Sequence, residues 1–325
     1  MLPPFAYVRP RSLDEAVDQL ADNGARLHAG GTDLLGCLRD GVFGADTLVS
    51  LSDIEGLRGV RTEDDGTLVI GALTTVGALA ADADIRRRYP VLAEAAAEVA
   101  SPQLRHQGTL GGNLCQKPRC WYYRGEFPCL RKGGKKCFAV QGQNQFHCIL
   151  GGSACYIVHP SDTAPALIAL GADLQVTGPR GDRSLPVAEL HVPPNEDPRR
   201  ETFLEAGEII TAIKLPKPPA GLKSSYRKVR ARQSWDFAVA GVALALVMDA
   251  GNIRHGRIVL SGAAPIPWRS EQAEKVLQGR PLNADTAAEA ATAAMADARP
   301  LEHNQYKIAL FKGLIEEELM NLAEN

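Results

Sequence analysis

Between Cys115 and Cys155 the chain carries six of its seven cysteines in 41 consecutive positions. The stretch CQKPRCWYYRGEFPCLRKGGKKC alone holds four of them, interleaved with lysine and arginine. Secreted disulfide scaffolds are small and distribute their bridges along the chain. A chain of 325 residues with an odd number of cysteines, one of them alone in LLGCLRD, fits that pattern poorly. Clustering of this kind favours a metal site or a redox cofactor over disulfides.

Length and composition set the outer bounds. A chain this long suffices for two or three domains with sizeable cores. Its hydrophobic content of 45% and charged content of 23% are ordinary for a soluble globular protein. The net charge of -2 gives no general reason to expect nucleic acid or an anionic membrane as partner. No apolar run approaches the length of a membrane span. The stretch MLPPFAYVRPRSLDEAV lacks the basic-then-apolar layout of a secretory signal, so export by a signal of its own is not expected.

Periodicity organises the rest. In RSLDEAVDQLADNG, Ser12 and Glu15 have capping-box spacing, and Leu13, Val17 and Leu20 recur at helical intervals. ARLHAGGTDLLGCLRDG reads as a strand, a Gly-Gly turn and a helix beginning near Thr32–Asp33, with DTLVSLSDI a further strand. A second α/β unit starts at GTLVIGALTTV. The cysteine segment interrupts it, and regular structure resumes at CYIVHPSDTAPALIALGADLQVTG. Residues 178 to 222 read as Pro-rich loop and linker around a short GEIITAIKLP strand. Beyond them, YRKVRARQSWDFAVAGVALALVMDAGNIRHGRIVLSGAA alternates like a hairpin or meander and three helices follow, giving an α+β C-terminal domain.

Two Gly-rich segments suggest ligand contact. In HAGGTDLL, adjacent glycines before a helix let the backbone approach a ligand, and exposed N–H groups there can hold a phosphate. HQGTLGGN is a second such loop, and the PSD turn at 160–162 is placed to cap another helix. Each alone is more often an ordinary turn. The G-x-G-x-x-G fingerprint, the P-loop, G-x-S-x-G and HExxH motifs are all missing.

Cys120, Cys129, Cys137 and Cys155 are separated by 9, 8 and 18 residues. Structural zinc sites usually use close C-x2-C pairs, whereas iron–sulfur ligands need only converge in space. Seven basic residues (Lys117, Arg119, Arg124, Arg131, Lys132, Lys135 and Lys136) against Glu126 alone would offset the negative charge of a four-thiolate cluster and raise its potential. A solvated loop and a basic, aromatic nucleic-acid contact around Trp121, Tyr122 and Tyr123 are the alternative readings.

The order AGGTDLL, IGALTT, GTLGGN, HPSDTAPALIAL, GEIITAIKLP and YRKVRAR…DFAVAGVA resembles the FAD-binding medium subunit of the xanthine dehydrogenase family of molybdenum hydroxylases. The resemblance spans about 1–320. It implies an α+β fold: a two-part FAD domain of the vanillyl-alcohol-oxidase type, then a small C-terminal domain of the carbon monoxide dehydrogenase flavoprotein type. The implied boundaries are 1–60 and 61–220 for the two FAD subdomains, with the cysteine insertion at 115–155, and 221–325 for the last domain. Most such subunits lack the insertion. It is similar to that of periplasmic aldehyde oxidoreductases and, less closely, of 4-hydroxybenzoyl-CoA reductases, where it binds an additional [4Fe–4S] cluster.

Carried over residue by residue, the resemblance implies Cys120, Cys129, Cys137 and Cys155 as cluster ligands, with Cys115 and Cys148 as bystanders. It implies that Arg26, Leu27, His28, Ala29, Gly30, Gly31, Thr32, Asp33 and Leu34 wrap the FAD pyrophosphate. Thr109 and Asn113 are implied in further hydrogen bonds to FAD, Asp162 as a cofactor-contacting acid, and Glu208 and Lys228 as neighbours of it. The expected function is electron transfer within an oxidoreductase, with no catalytic residue of its own. Electrons pass from a molybdenum-cofactor large subunit and a two-[2Fe–2S] small subunit, through FAD here, to an external acceptor. The alternative is a stand-alone flavoenzyme with structural zinc. The expected compartment is cytoplasmic, or periplasmic by co-export with a signal-bearing partner.

Overall fold

The computed structural model describes residues 1–324, with strands gathered into three sheets. Strand β1 (Ala6–Val8), β2 (Ala25–His28) and β3 (Thr47–Ser50) form a parallel sheet in the order β1-β3-β2. Ser12 caps the first helix by accepting from the Glu15 N–H, and the Glu15 carboxylate accepts from the Arg11 N–H. The helix Leu34–Arg39 starts directly after the Gly-Gly turn.

The second sheet is antiparallel and has five strands: β4 (Val60–Thr62), β5 (Leu68–Gly71), β6 (Asp173–Gly178), β7 (Gly181–Pro186) and β8 (Ile209–Leu215). Their order is β4-β5-β8-β6-β7, so β8 sits at the centre. Two features differ from the sequence reading. GDRSLP is an edge strand within the expected loop, and its polar, largely exposed residues and terminal proline disguise it. GTLGGN is not a loop: Thr109 caps a short helix, Leu110–Leu114, by accepting from the Gly112 N–H. No strand lies between 115 and 162, among the described residues.

The third sheet contains β9 (Leu222–Val229), β10 (Ala240–Asp249), β11 (Asn252–Ser261) and the two-residue β12 (Trp268–Arg269). The period-two pattern in β10 decides its placement. Val242, Leu244 and Leu246 face the C-terminal helices Glu271–Leu277, Ala284–Ala294 and Tyr306–Glu324. Ala243 and Ala245 join the core of the preceding sheet and its helices Pro90–Ala97 and Thr163–Leu170. Small residues on that face allow close approach, so the last sheet is sealed on both sides. Val242, Leu244 and Leu246 are fully buried, each worth about 1.5–3 kcal/mol of transfer free energy. Among the described residues, no helix is long and apolar enough to cross a membrane.

Candidate functional site

The Gly-Gly turn opens onto a cavity of about 680 Å³ lined by residues as distant in sequence as Arg26 and Phe237. That volume lies within the range for cofactor sites. Its entrance turn is shaped by glycine: a Cβ on Gly30 would collide with the Gln107 carbonyl, and Gly31 has φ +70°. Among the described residues, no acceptor is found for the backbone N–H groups of Gly30, Gly31 and Thr32. Unpaired amides in a concave turn suit a phosphate. Arg26, Leu27, Ala29, Thr32, Asp33 and Leu34 also line the cavity. His28 does not; its half-buried ring packs edge-on against Tyr7.

The other residues expected at the flavin have partners in the protein. Thr109 lines the cavity but spends its hydroxyl on the cap. Asn113 accepts from Ser161 and Thr163 at 2.5 and 2.7 Å through Oδ1, while its Nδ2 has no partner among the described residues. Asp162 is buried in the wall, where Lys228 and the Tyr226 hydroxyl donate to it at 2.7 and 2.8 Å. Burial raises the Asp162 pKa, and those two donors oppose the rise. Lys228 stands behind the wall, bonded to Asp162 and to the Glu98 carbonyl, with its side chain 1% exposed. Glu208 lines the cavity but makes a two-pronged pair with Arg183 at 2.7 Å, which holds its carboxyl below the usual range.

A smaller cavity lies within the cysteine segment. Cys120, Cys129, Cys137 and Cys155 all line it, together with Arg131, His147, Tyr122, Tyr123 and apolar neighbours. All seven cysteines are free thiols. Cys115 lines the larger cavity and Cys148 is buried outside the lining of both. Burial pushes the Cys120 thiol up to about 12 and raises Cys137. The donor set is sulfur, with two further groups whose polar atoms lack partners: Arg131 Nε and His147 Nδ1. Nε2 of His147 lies 3.3 Å from Cys120 Sγ, and burial pushes its pKa down to about 4. Among the described residues, no group of three or more His, Cys, Asp or Glu is set to hold a metal ion as the chain stands. The thiols share a cavity without forming a finished ion site.

The two cavities have no lining residue in common but meet where Glu201 of the larger pairs with Arg131 of the smaller. Asp33, at the start of the first turn's helix, receives Arg124 at 2.7 Å, Arg119 at 3.0 Å and the Lys117 N–H at 2.7 Å. Glu201 lines the larger cavity and pairs with both Lys117 and Arg131. The segment's basic residues are therefore divided. Lys117, Arg119 and Arg124 face the larger cavity, Lys135 and Lys136 are exposed, and only Arg131 lines the cysteine cavity. On its far side the segment is held by the C-terminal domain. Asn304 donates to the His147 and Cys148 carbonyls at 3.1 Å, and the fully buried Lys307 donates to those of Phe146, His147 and Gly262.

Sequence reasoning missed Glu201 and the loop bearing Arg232, Trp235 and Phe237, which also line the larger cavity. In that loop Trp235 has φ +52° and is 60% exposed, and Phe237 carries Arg119 over its ring at 5.0 Å. An exposed aromatic pair in RQSWDF was the available signal.

Comparison with known proteins covers nearly the whole chain. The FAD binding domain of molybdopterin dehydrogenases matches residues 3–218, and the carbon monoxide dehydrogenase flavoprotein C-terminal domain matches 224–321. The chain is 40% identical to the aldehyde oxidoreductase FAD-binding subunit of Escherichia coli over 314 residues, 95% of each chain. It is 32% identical to the carbon monoxide dehydrogenase medium chain of Afipia carboxidovorans, covering 92% of this chain and 91% of that one. The structure of carbon monoxide dehydrogenase from Hydrogenophaga pseudoflava superposes with a TM-score of 0.78 at 30% identity, covering 99% and 98% of the two chains. The chain belongs to the FAD-binding medium subunits of the xanthine dehydrogenase and carbon monoxide dehydrogenase family.

Proposed function

We propose that the chain is the FAD- and [4Fe–4S]-carrying electron-transfer subunit of a heteromeric molybdenum hydroxylase, of the aldehyde oxidoreductase kind. The observation that carries this reading is the adjacency of the two cavities. One segment, 115–131, lines a flavin-sized cavity on one side and a four-cysteine cavity on the other. The relative at 40% identity, named as an aldehyde oxidoreductase subunit, supports the subtype.

When bound, FAD supplies hydride and one-electron chemistry, and a cluster supplies one-electron transfer. The chain's own groups do the holding. The N–H groups of Gly30, Gly31 and Thr32 would take the pyrophosphate, and the free Nδ2 of Asn113 would donate nearby. Lys228 and Tyr226 fix the Asp162 carboxylate in the wall. Cys120, Cys129, Cys137 and Cys155 would hold the cluster, and the unpaired Nε of Arg131 suits its anionic sulfur. Substrate oxidation belongs to a molybdenum-bearing partner, and electrons arrive through a two-[2Fe–2S] partner. Those partners also decide the compartment, cytoplasmic or periplasmic by co-export.

Metal and flavin analysis of the purified chain tests this. About four irons and about one FAD per chain are expected. Cys120→Ser should remove the iron and leave the flavin, and Cys115→Ser should leave both. Zinc in place of iron, or iron retained in Cys120→Ser, overturns the cluster reading.

A further inference from the structure

The strongest unexplained feature is a buried cation at the seam of the two cavities. The side chain of Arg131 is 2% exposed, and a guanidinium stays charged when buried. It donates to Glu201 Oε1 at 2.8 Å and to the Arg200 carbonyl at 3.1 Å, and it lines the cysteine cavity together with Cys155. Its Nε has no partner. Glu201 does not fully neutralise it, because the other carboxylate oxygen pairs with Lys117. Two cations thus share one anion, and of the two it is Arg131 that is buried against the cysteine cavity, Lys117 being 36% exposed on the side of the larger one. Of the seven basic residues in the segment, Arg131 alone lines the cysteine cavity.

Resting on the cluster reading above, we propose that Arg131 sets the reduction potential of the iron–sulfur cluster, and that Glu201 limits how much of that charge the cluster feels. Reduction adds one electron to an already anionic cluster, with no bond made or broken. A fixed cation at the wall favours the reduced form and raises the potential; an anion beside that cation does the reverse. Because Glu201 also lines the larger cavity, the same carboxylate responds to the groups around the flavin side. The arrangement makes Arg131 a tuning residue, distinct from the four sulfur ligands.

The test is a dithionite titration of the whole purified chain followed by electron paramagnetic resonance, with iron and FAD measured in parallel. Arg131→Gln should lower the cluster potential by about 59 mV or more, a tenfold fall in the reduced-to-oxidised ratio for a one-electron couple. Glu201→Gln should raise it, and Arg131→Lys should stay near the wild type. A merely structural role would move Arg131→Gln and Glu201→Gln the same way, or neither. Either result, with iron content intact, overturns the proposal. If Arg131→Gln fails to hold iron, Glu201→Gln decides: a raised potential supports the proposal and an unchanged one overturns it. An iron-free wild type is a different failure, that of the cluster reading itself.

Discussion

The larger cavity draws its lining from stretches as far apart as Arg26 and Phe237, whereas the cysteine cavity is lined from residues 120–157 alone. The first offers unpaired backbone amides in a turn that only glycine permits; the second offers side-chain sulfur from a segment without strands. A site made of backbone depends on how distant turns meet, and its signature in sequence is spread thin. A site made of thiols is dense in sequence and needs its surroundings to bring the ligands together. Damage to each should therefore remain local, although one ion pair, Glu201 with Arg131, joins their linings.

The largest expected separation is with Gly30→Val. Its side chain would meet the Gln107 carbonyl, so the first turn must move off the second Gly-rich segment. Flavin content should fall at least tenfold, an order-of-magnitude figure from about 1.4 kcal/mol of lost contact, while iron content is unchanged. Equal loss of both cofactors would show that the cavities form one cooperative unit.

Lys228→Met should come next. It strands the Asp162 carboxylate in the wall of the larger cavity with only the Tyr226 hydroxyl for company. Breaking a buried pair from one side costs about 3–5 kcal/mol, which urea unfolding would read directly. Adding Asp162→Asn to the same chain should recover part of that loss. No recovery would mean that the damage comes from packing and not from the stranded charge.

The effect that bears least on that separation concerns acid. His159 and His191 stack edge to face 4.1 Å apart behind the helix Leu110–Leu114, and His191 reaches the Leu114 carbonyl at 3.0 Å. Burial pushes His191 down to about 4 and His159 well below its usual value. A depressed folded pKa means the unfolded chain takes up protons first as pH falls. The stability is therefore fully present above about 6.5 and is lost progressively as pH falls toward 4, about 3 kcal/mol from His191. Urea midpoints at pH 7 and pH 5 should differ, and His191→Gln should shrink the difference. An unchanged difference would place the acid sensitivity elsewhere.

The C-terminal half was the most legible part of the fold. The alternation in β10 and β11 and the three following helices depend on local periodicity, and they appear where the sequence puts them. The Gly-Gly turn, which lines the larger cavity, was legible as a special turn because a special backbone shape demands special residues. The edge strand Gly181–Pro186 was not, since half-exposed polar residues carry no strand pattern until β6 pairs with them. The short helix at 110–114 was hidden by its own two glycines; it exists because Thr109 caps it and Gly111 packs against Ala72. The basic residues of the cysteine segment were legible as a cluster of charge but not in their allocation. That allocation depends on Asp33 and Glu201, which lie 84 positions to either side of Lys117 and pair with it or its neighbours only after folding.

The clamp from the C-terminal domain bears on biogenesis. Residues 147 and 148 are fastened by Asn304 and Lys307, more than 150 positions later, so the cysteine lobe is not closed until the last helix has been made. Since domains made earlier in synthesis generally fold first, the residues that line the thiol pocket are all made before the clamp that fastens them. A chain cut before Asn304 would lack this clamp on residues 147 and 148.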